Sequence, residues 1–146
     1  MRKIIVAVAV VVLAGAEKPD DAVKKELAEL DGTWVLVSGE REGMPLTDNV
    51  IKDSKRVCKN GETTVTIQGM LFMKAKFTVD PSKKPKTIDY EIIDGPNKGK
   101  TQAGVYELDG DTVKFCFTAP GAERPTDLTA KAGSGRTLSV WKRDKK

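Results

Sequence analysis

Apolar and polar positions alternate most regularly between residues 80 and 117, in three runs at 87–93, 102–108 and 112–117. Ile88, Tyr90 and Ile92 oppose Thr87, Asp89 and Glu91, while Val113, Phe115 and Phe117 oppose Thr112, Lys114 and Cys116. A period of two with one wet face marks strands that cover a core. Gly, Pro, Asn and Asp fill the gaps, which is the punctuation of an antiparallel meander. Upstream, Asn60-Gly61 sits between runs at 55–59 and 62–68 and signals a tight hairpin. Residues 70–79 read as a longer strand, with Leu71, Met73, Ala75, Phe77 and Val79 inside and Lys74, Lys76 and Thr78 outside. A first strand at 33–38, a weak one at 126–131 and a last one at 137–143 complete the pattern, with Leu138 and Val140 assigned inward.

A helical rhythm occurs before the first strand. Val23, Leu27 and Leu30 recur at helical spacing, Asp20 or Asp21 is available as a cap, and Gly32 follows the end. Residues 50–52 add a helical turn. The strands follow one another through short turns that leave no room for crossover helices. The fold class is therefore all-β, an up-and-down antiparallel barrel of about eight strands with one short N-terminal helix, since closure removes exposed edges.

The first sixteen residues stand apart from this pattern. Arg2 and Lys3 precede an apolar run at 4–13, and Ala14-Gly15-Ala16 ends it with small residues. That order reads as a secretory signal peptide spanning 1–16, with an exported chain of 17–146 in the periplasm or outside the cell. The run is too short to span a bilayer, which takes roughly 20 residues. The exported part has the length of one domain and can build a core without disulfide staples.

Charge and composition narrow the chemistry. The formal net charge is +4, partly from Arg2 and Lys3, and the remaining Lys and Arg are scattered among Asp and Glu. Such a mixed surface reads as solvated and not as a nucleic-acid groove. Histidine is absent from the sequence, so Ser-His and Cys-His catalysis and the commonest metal ligand do not apply. Cys58 and Cys116 form no C-x-x-C. Alternation places Cys116 outside with Lys114, and the charge of Arg56 places Cys58 outside as well. A bridge between them then requires their strands to be neighbours.

Some segments resemble sites and are better explained otherwise. The segment 95–101 looks like a phosphate loop, but it has three residues between its glycines where the motif has four, and a strand follows instead of a helix. Glu107, Asp109 and Asp111 lack the other ligand positions of a calcium loop, and Asp109-Gly110 already serves as a turn. Asp89 and Glu91 share a face and alternate with inward apolar residues, which makes them a wet outer surface and not a glycosidase pair. No catalytic constellation, metal set or cofactor motif emerges.

Gly32-Thr33-Trp34, between the short helix and the first strand, resembles the G-x-W element of lipocalins and related calycin barrels. The resemblance implies that Trp34 closes one end of the barrel and that a basic residue of the last strand packs across it. Arg143 is the match, with Lys142 the alternative. Several longer phrases, among them LDGTWVLVSGEREGMPL, GPNKGKTQAGVYELDGD and GSGRTLSVWKR, make the chain similar to an uncharacterised lipocalin-like (calycin-type) domain family of secreted planctomycete bacterial proteins. That family supplies a fold expectation and no activity.

Two functional expectations follow. The first is a non-enzymatic binding module holding a small apolar molecule in the barrel, since a barrel of this size has room for one. Met73, Phe77, Tyr90, Tyr106, Phe115 and Phe117 are its candidate ligand-binding residues, and Trp34 and Arg143 its structural closure. The second is a filled barrel whose loops contact a protein partner. An enzyme built on carboxylates, Tyr90 or Tyr106 ranks behind both.

Overall fold

A computed structural model describes residues 19–145, and the segment read as a signal peptide lies outside them. The elements in chain order are α1 (Pro19–Leu30), β1 (Gly32–Arg41), β2 (Met44–Pro45), α2 (Asp48–Lys52), β3 (Ser54–Lys59), β4 (Glu62–Ile67), β5 (Met70–Asp80), β6 (Lys86–Asp94), β7 (Thr101–Asp109), β8 (Thr112–Thr118) and β9 (Arg136–Arg143). From β3 onward each strand pairs antiparallel with the next, and β1 pairs with both β3 and β9. The result is a closed 8-strand antiparallel barrel. The two-residue β2 is an extra strand on the end of β1. No helix among the described residues is long and apolar enough to cross a membrane.

Local chemistry explains the turns. Asn60 and Gly61 both take positive φ, 51° and 78°, as a two-residue turn matching strand twist requires. The turn fixes the β3–β4 register, pairing Cys58 with Thr63 and Arg56 with Val65. One face of each strand then forms the lumen, where Phe77, Ile88, Tyr90, Ile92, Val113 and Phe115 are all buried.

Helix α1 closes the base. Its Leu30 is buried, and Val23 and Leu27 pack on the same core. Trp34 is 0% exposed, and its indole N–H donates to Leu30 O at the helix end. Arg143 lies across that indole, with Cζ 4.3 Å from the ring centroid. It also donates from Nη1 to Asp31 O (2.9 Å) and from Nη2 to Glu29 O (2.8 Å). Carbonyls at a helix C-terminus lack intrahelical donors, and a cation there complements the helix dipole. Beside this clamp, buried Glu26 accepts from Tyr106 Oη and from Lys86 Nζ.

Several strand assignments read from alternation change. Arg143 over Trp34 sets the parity of β9, so Thr137, Ser139 and Trp141 share the lumenal face. Leu138 and Val140 therefore point outward, not inward. Leu71 is 43% exposed because Val65 pairs with Met73 while Thr66 pairs with Leu71, making Phe72 an extra residue that reverses the alternation. Residues 126–131 form no strand. They belong to an irregular strap after β8 that folds back on the outer face, held by Thr118 Oγ1 donating to Glu123 O and Arg124 Nη1 donating to Ile88 O and Gly104 O. A second helix, α2, lies before β3.

The strap also corrects the reading of the cysteines. Cys116 is outward yet fully buried, its thiol donating to Thr129 O beneath the strap. Cys58 points into the lumen together with Arg56, because the hairpin register places both beside inward residues of β4. The thiols face opposite sides of the barrel wall and are unbridged.

Candidate functional site

The base and the mouth of the barrel are built differently. Toward α1 the lumen is filled by Trp34, Phe77, Ile88, Tyr106, Val113 and Phe115. Toward the opposite end it opens into a cavity of about 400 Å³ walled by Leu36, Leu46, Val50, Val65, Ile67, Phe72, Met73 and Phe117. Arg56, Tyr90, Ser139 and Trp141 line the same cavity, and Arg41, Gln102 and Thr137 line it too. A second depression of about 390 Å³ shares Arg41, Phe72, Met73, Gln102 and Thr137 with the first and continues to the rim at Asn97 and Pro120.

Each wall has a local cause. Helix α2 begins at Thr47, whose Oγ1 accepts from Val50 N–H, and it carries Val50 to the edge of the opening. The extra residue Phe72 turns its ring to the lip. Gly104 leaves room for Phe117, since a Cβ there would sit 2.5 Å from the Phe117 ring. Phe117 is thus held in the lumen, its ring centroid 4.4 Å from that of Tyr90.

Arg56 is the unexpected member. It is 5% exposed, and no carboxylate of the described residues forms an ion pair with it. Its Nη1 donates to Tyr90 Oη (2.7 Å) and Thr63 Oγ1 (3.1 Å). Its Cζ lies 4.5 Å from the Phe115 ring centroid and 4.6 Å from that of Trp141. Its Nε–H is buried without a hydrogen-bond partner among the described residues. Burial raises the Tyr90 phenol above its ordinary pKa, with the Arg56 charge opposing that rise. Burial likewise raises the Cys58 thiol, again against Arg56.

The residues singled out from the sequence divide between the two halves. Met73, Tyr90 and Phe117 line the cavity. Phe77, Tyr106 and Phe115 lie in the packed half, and the Tyr106 hydroxyl bonds Glu26 at the closed base, far from the mouth. Burial, with Glu26 as acceptor, raises the Tyr106 phenol above the usual range. Trp34 and Arg143 meet at the base as described. Asp111 bonds Arg143 and Lys145, and Asp89 pairs with Arg124 on the outer wall.

Arg56 and Trp141 escaped sequence reasoning, although the Asn60-Gly61 turn contained the signal for Arg56. Counting back from a two-residue turn pairs Arg56 with Val65, whose apolar face is inward. No protein-family model, no curated protein and no solved structure matches the chain.

Proposed function

We propose that the protein is a non-enzymatic binding protein that holds a small, largely apolar ligand in the open half of its barrel. The observation that carries this reading is the cavity of about 400 Å³ with walls from Leu36, Leu46, Val50, Met73 and Phe117. Small-molecule sites are concave, mostly apolar and roughly 300–1,000 Å³. The filled base supports the same reading, because it gives the cavity a rigid floor. Export belongs to the proposal as well: the basic, apolar and small-residue order of 1–16 supports cleavage before Glu17 and a periplasmic or extracellular location. Kinship with lipocalin-like domains is supported by Gly32, Trp34 and the guanidinium stacked on that indole.

The test is titration with N-phenyl-1-naphthylamine, a neutral probe whose fluorescence rises in apolar surroundings. Saturable binding by the wild type, lost in Ile67→Trp without loss of the folding transition, supports a lumenal site. Absence of saturable binding contradicts it. One observation then favours a second reading, contact with a protein at the rim of the barrel: Met70, Leu71 and Phe72, where β5 begins at the lip, are 74%, 43% and 47% exposed.

A further inference from the structure

The cavity has an apolar wall and a cationic floor. Arg56 is nine-tenths buried or more, and its charge meets no carboxylate of the described residues. Two hydroxyls and two aromatic rings surround it, and its Nε–H has no partner among the described residues. These groups soften the charge without neutralising it. A buried ion is costly unless a counter-charge and hydrogen bonds compensate it. Methionine or leucine at this position would fill the lumen without that cost.

The surroundings are polarised in the same sense. Arg41 stands at the mouth of the same cavity, and among the described residues no Asp or Glu lines it; Glu42 lies outside it, in the adjoining depression, where its carboxylate accepts from Gly135 N–H. Tyr90 adds a donor. A phenol has one O–H, and the Tyr90 oxygen already accepts from Arg56. Its own hydrogen has no acceptor among the hydrogen bonds of the described residues, and Tyr90 lines the cavity. One unneutralised cation and one uncommitted hydroxyl thus converge at the bottom of an apolar well.

We infer that the ligand is an anionic amphiphile, a carboxylate on a hydrocarbon chain, whose head group descends to Arg56 and Tyr90 while the chain lies against Met73, Phe72 and Phe117. The inference rests on the binding reading above and specifies its ligand class. Low dielectric in the lumen strengthens the pairing of opposite charges. A carboxylate also accepts from the guanidinium and the phenol at once, which a hydroxyl head does with fewer lone pairs and no charge. The head-down orientation follows from the position of Arg56 below the apolar walls.

Competition against N-phenyl-1-naphthylamine with decanoate, decanol and decyltrimethylammonium, at neutral pH and below their micellar concentrations, tests the inference. Decanoate should displace the probe at least about tenfold more tightly than decanol, which corresponds to about 1.4 kcal/mol, and the cation should compete worst. In Arg56→Met the preference for decanoate over decanol should vanish while the probe still binds. Equal competition by decanoate and decanol on the wild type overturns the anionic assignment and leaves the apolar binding site standing. A preference that survives in folded Arg56→Met assigns the selectivity elsewhere and also overturns it. If neither the probe nor decanoate binds, the latter followed directly by calorimetry, both readings fall. Should Arg56→Met not fold, Arg56→Gln and the wild-type ratio decide the question.

Discussion

Replacing Arg143 with methionine should cost about 2–3 kcal/mol, a large share of the roughly 5–15 kcal/mol that holds a domain together. The guanidinium gives hydrogen bonds of 2.9 and 2.8 Å to the carbonyls of Asp31 and Glu29, at the end of the helix that closes the barrel. A hydrogen bond from a charged donor contributes about 1.5–3 kcal/mol. Here the lower end applies, because the Arg143 side chain is 26% exposed. Its position 4.3 Å over the Trp34 ring adds about 0.5–1 kcal/mol at such a partly wet site. The ion pair with half-exposed Asp111 adds close to nothing. Methionine restores some stem packing, and water can reach part of the freed carbonyls, so the net falls below the plain sum. Urea melts followed by far-UV circular dichroism measure the loss, at constant slope with denaturant. Arg143→Lys should recover less than half, because an ammonium cannot lie flat on the indole and reach two carbonyls in fork geometry. Lys142→Met, on the outward side of the same strand, should stay within about 0.5 kcal/mol of wild type. A loss below about 0.5 kcal/mol for Arg143→Met would mean that the clamp does not hold the base.

Other consequences follow from named contacts. Gly104→Ala should destabilise by about 1–3 kcal/mol and weaken probe binding, since the new Cβ pushes the Phe117 ring into the cavity; an unchanged melt and unchanged affinity would refute the packing described. Cys58 and Cys116 should both react slowly with a thiol reagent in the native state and rapidly in urea, because both are buried with raised thiol pKa; fast native labelling of either would contradict this. Hydrogen bonding from Lys145, then its charge and Arg143, lowers the Asp111 pKa from 3.8. A depressed folded pKa gives stability that is present above the unfolded value and lost as pH falls through the folded one. Asp111→Asn should therefore be only slightly less stable at neutral pH, because the carboxylate and Lys145 are solvent-screened, with the small gap closing below pH 3.8; a gap that persists unchanged through the acid limb would exclude the coupling.

The strands from β3 to β9 and the tight Asn60-Gly61 turn were legible in the sequence, as was, through the resemblance, a basic residue of the last strand on Trp34, with Lys142 left open beside Arg143. They depend on short-range periodicity, turn chemistry and a two-ended motif. What was hidden depends on single residues that shift parity and on chain that folds back. Phe72 is one extra residue in β5, and alternation counted through it places Leu71 on the wrong side. The strap after β8 has no periodicity, yet it converts the outer position of Cys116 into a buried one. Arg56 was hidden by its charge: an arginine in an alternating run reads as a solvent-facing residue. Its lumenal position runs against local preference, and such conflicts concentrate at functional sites. The half-open lumen was undetermined by composition, because the same aromatics fill the base and wall the mouth.

A crystal structure of the protein grown with decanoate would show outright where the head group sits. One ligand should lie inside the barrel, its carboxylate within hydrogen-bond distance of the Arg56 guanidinium and Tyr90 Oη and its chain running past Met73 and Phe117 toward the mouth. A carboxylate at Arg41 with the chain end on Arg56, or a ligand bound only outside the lumen against Met70 and Leu71, would contradict it.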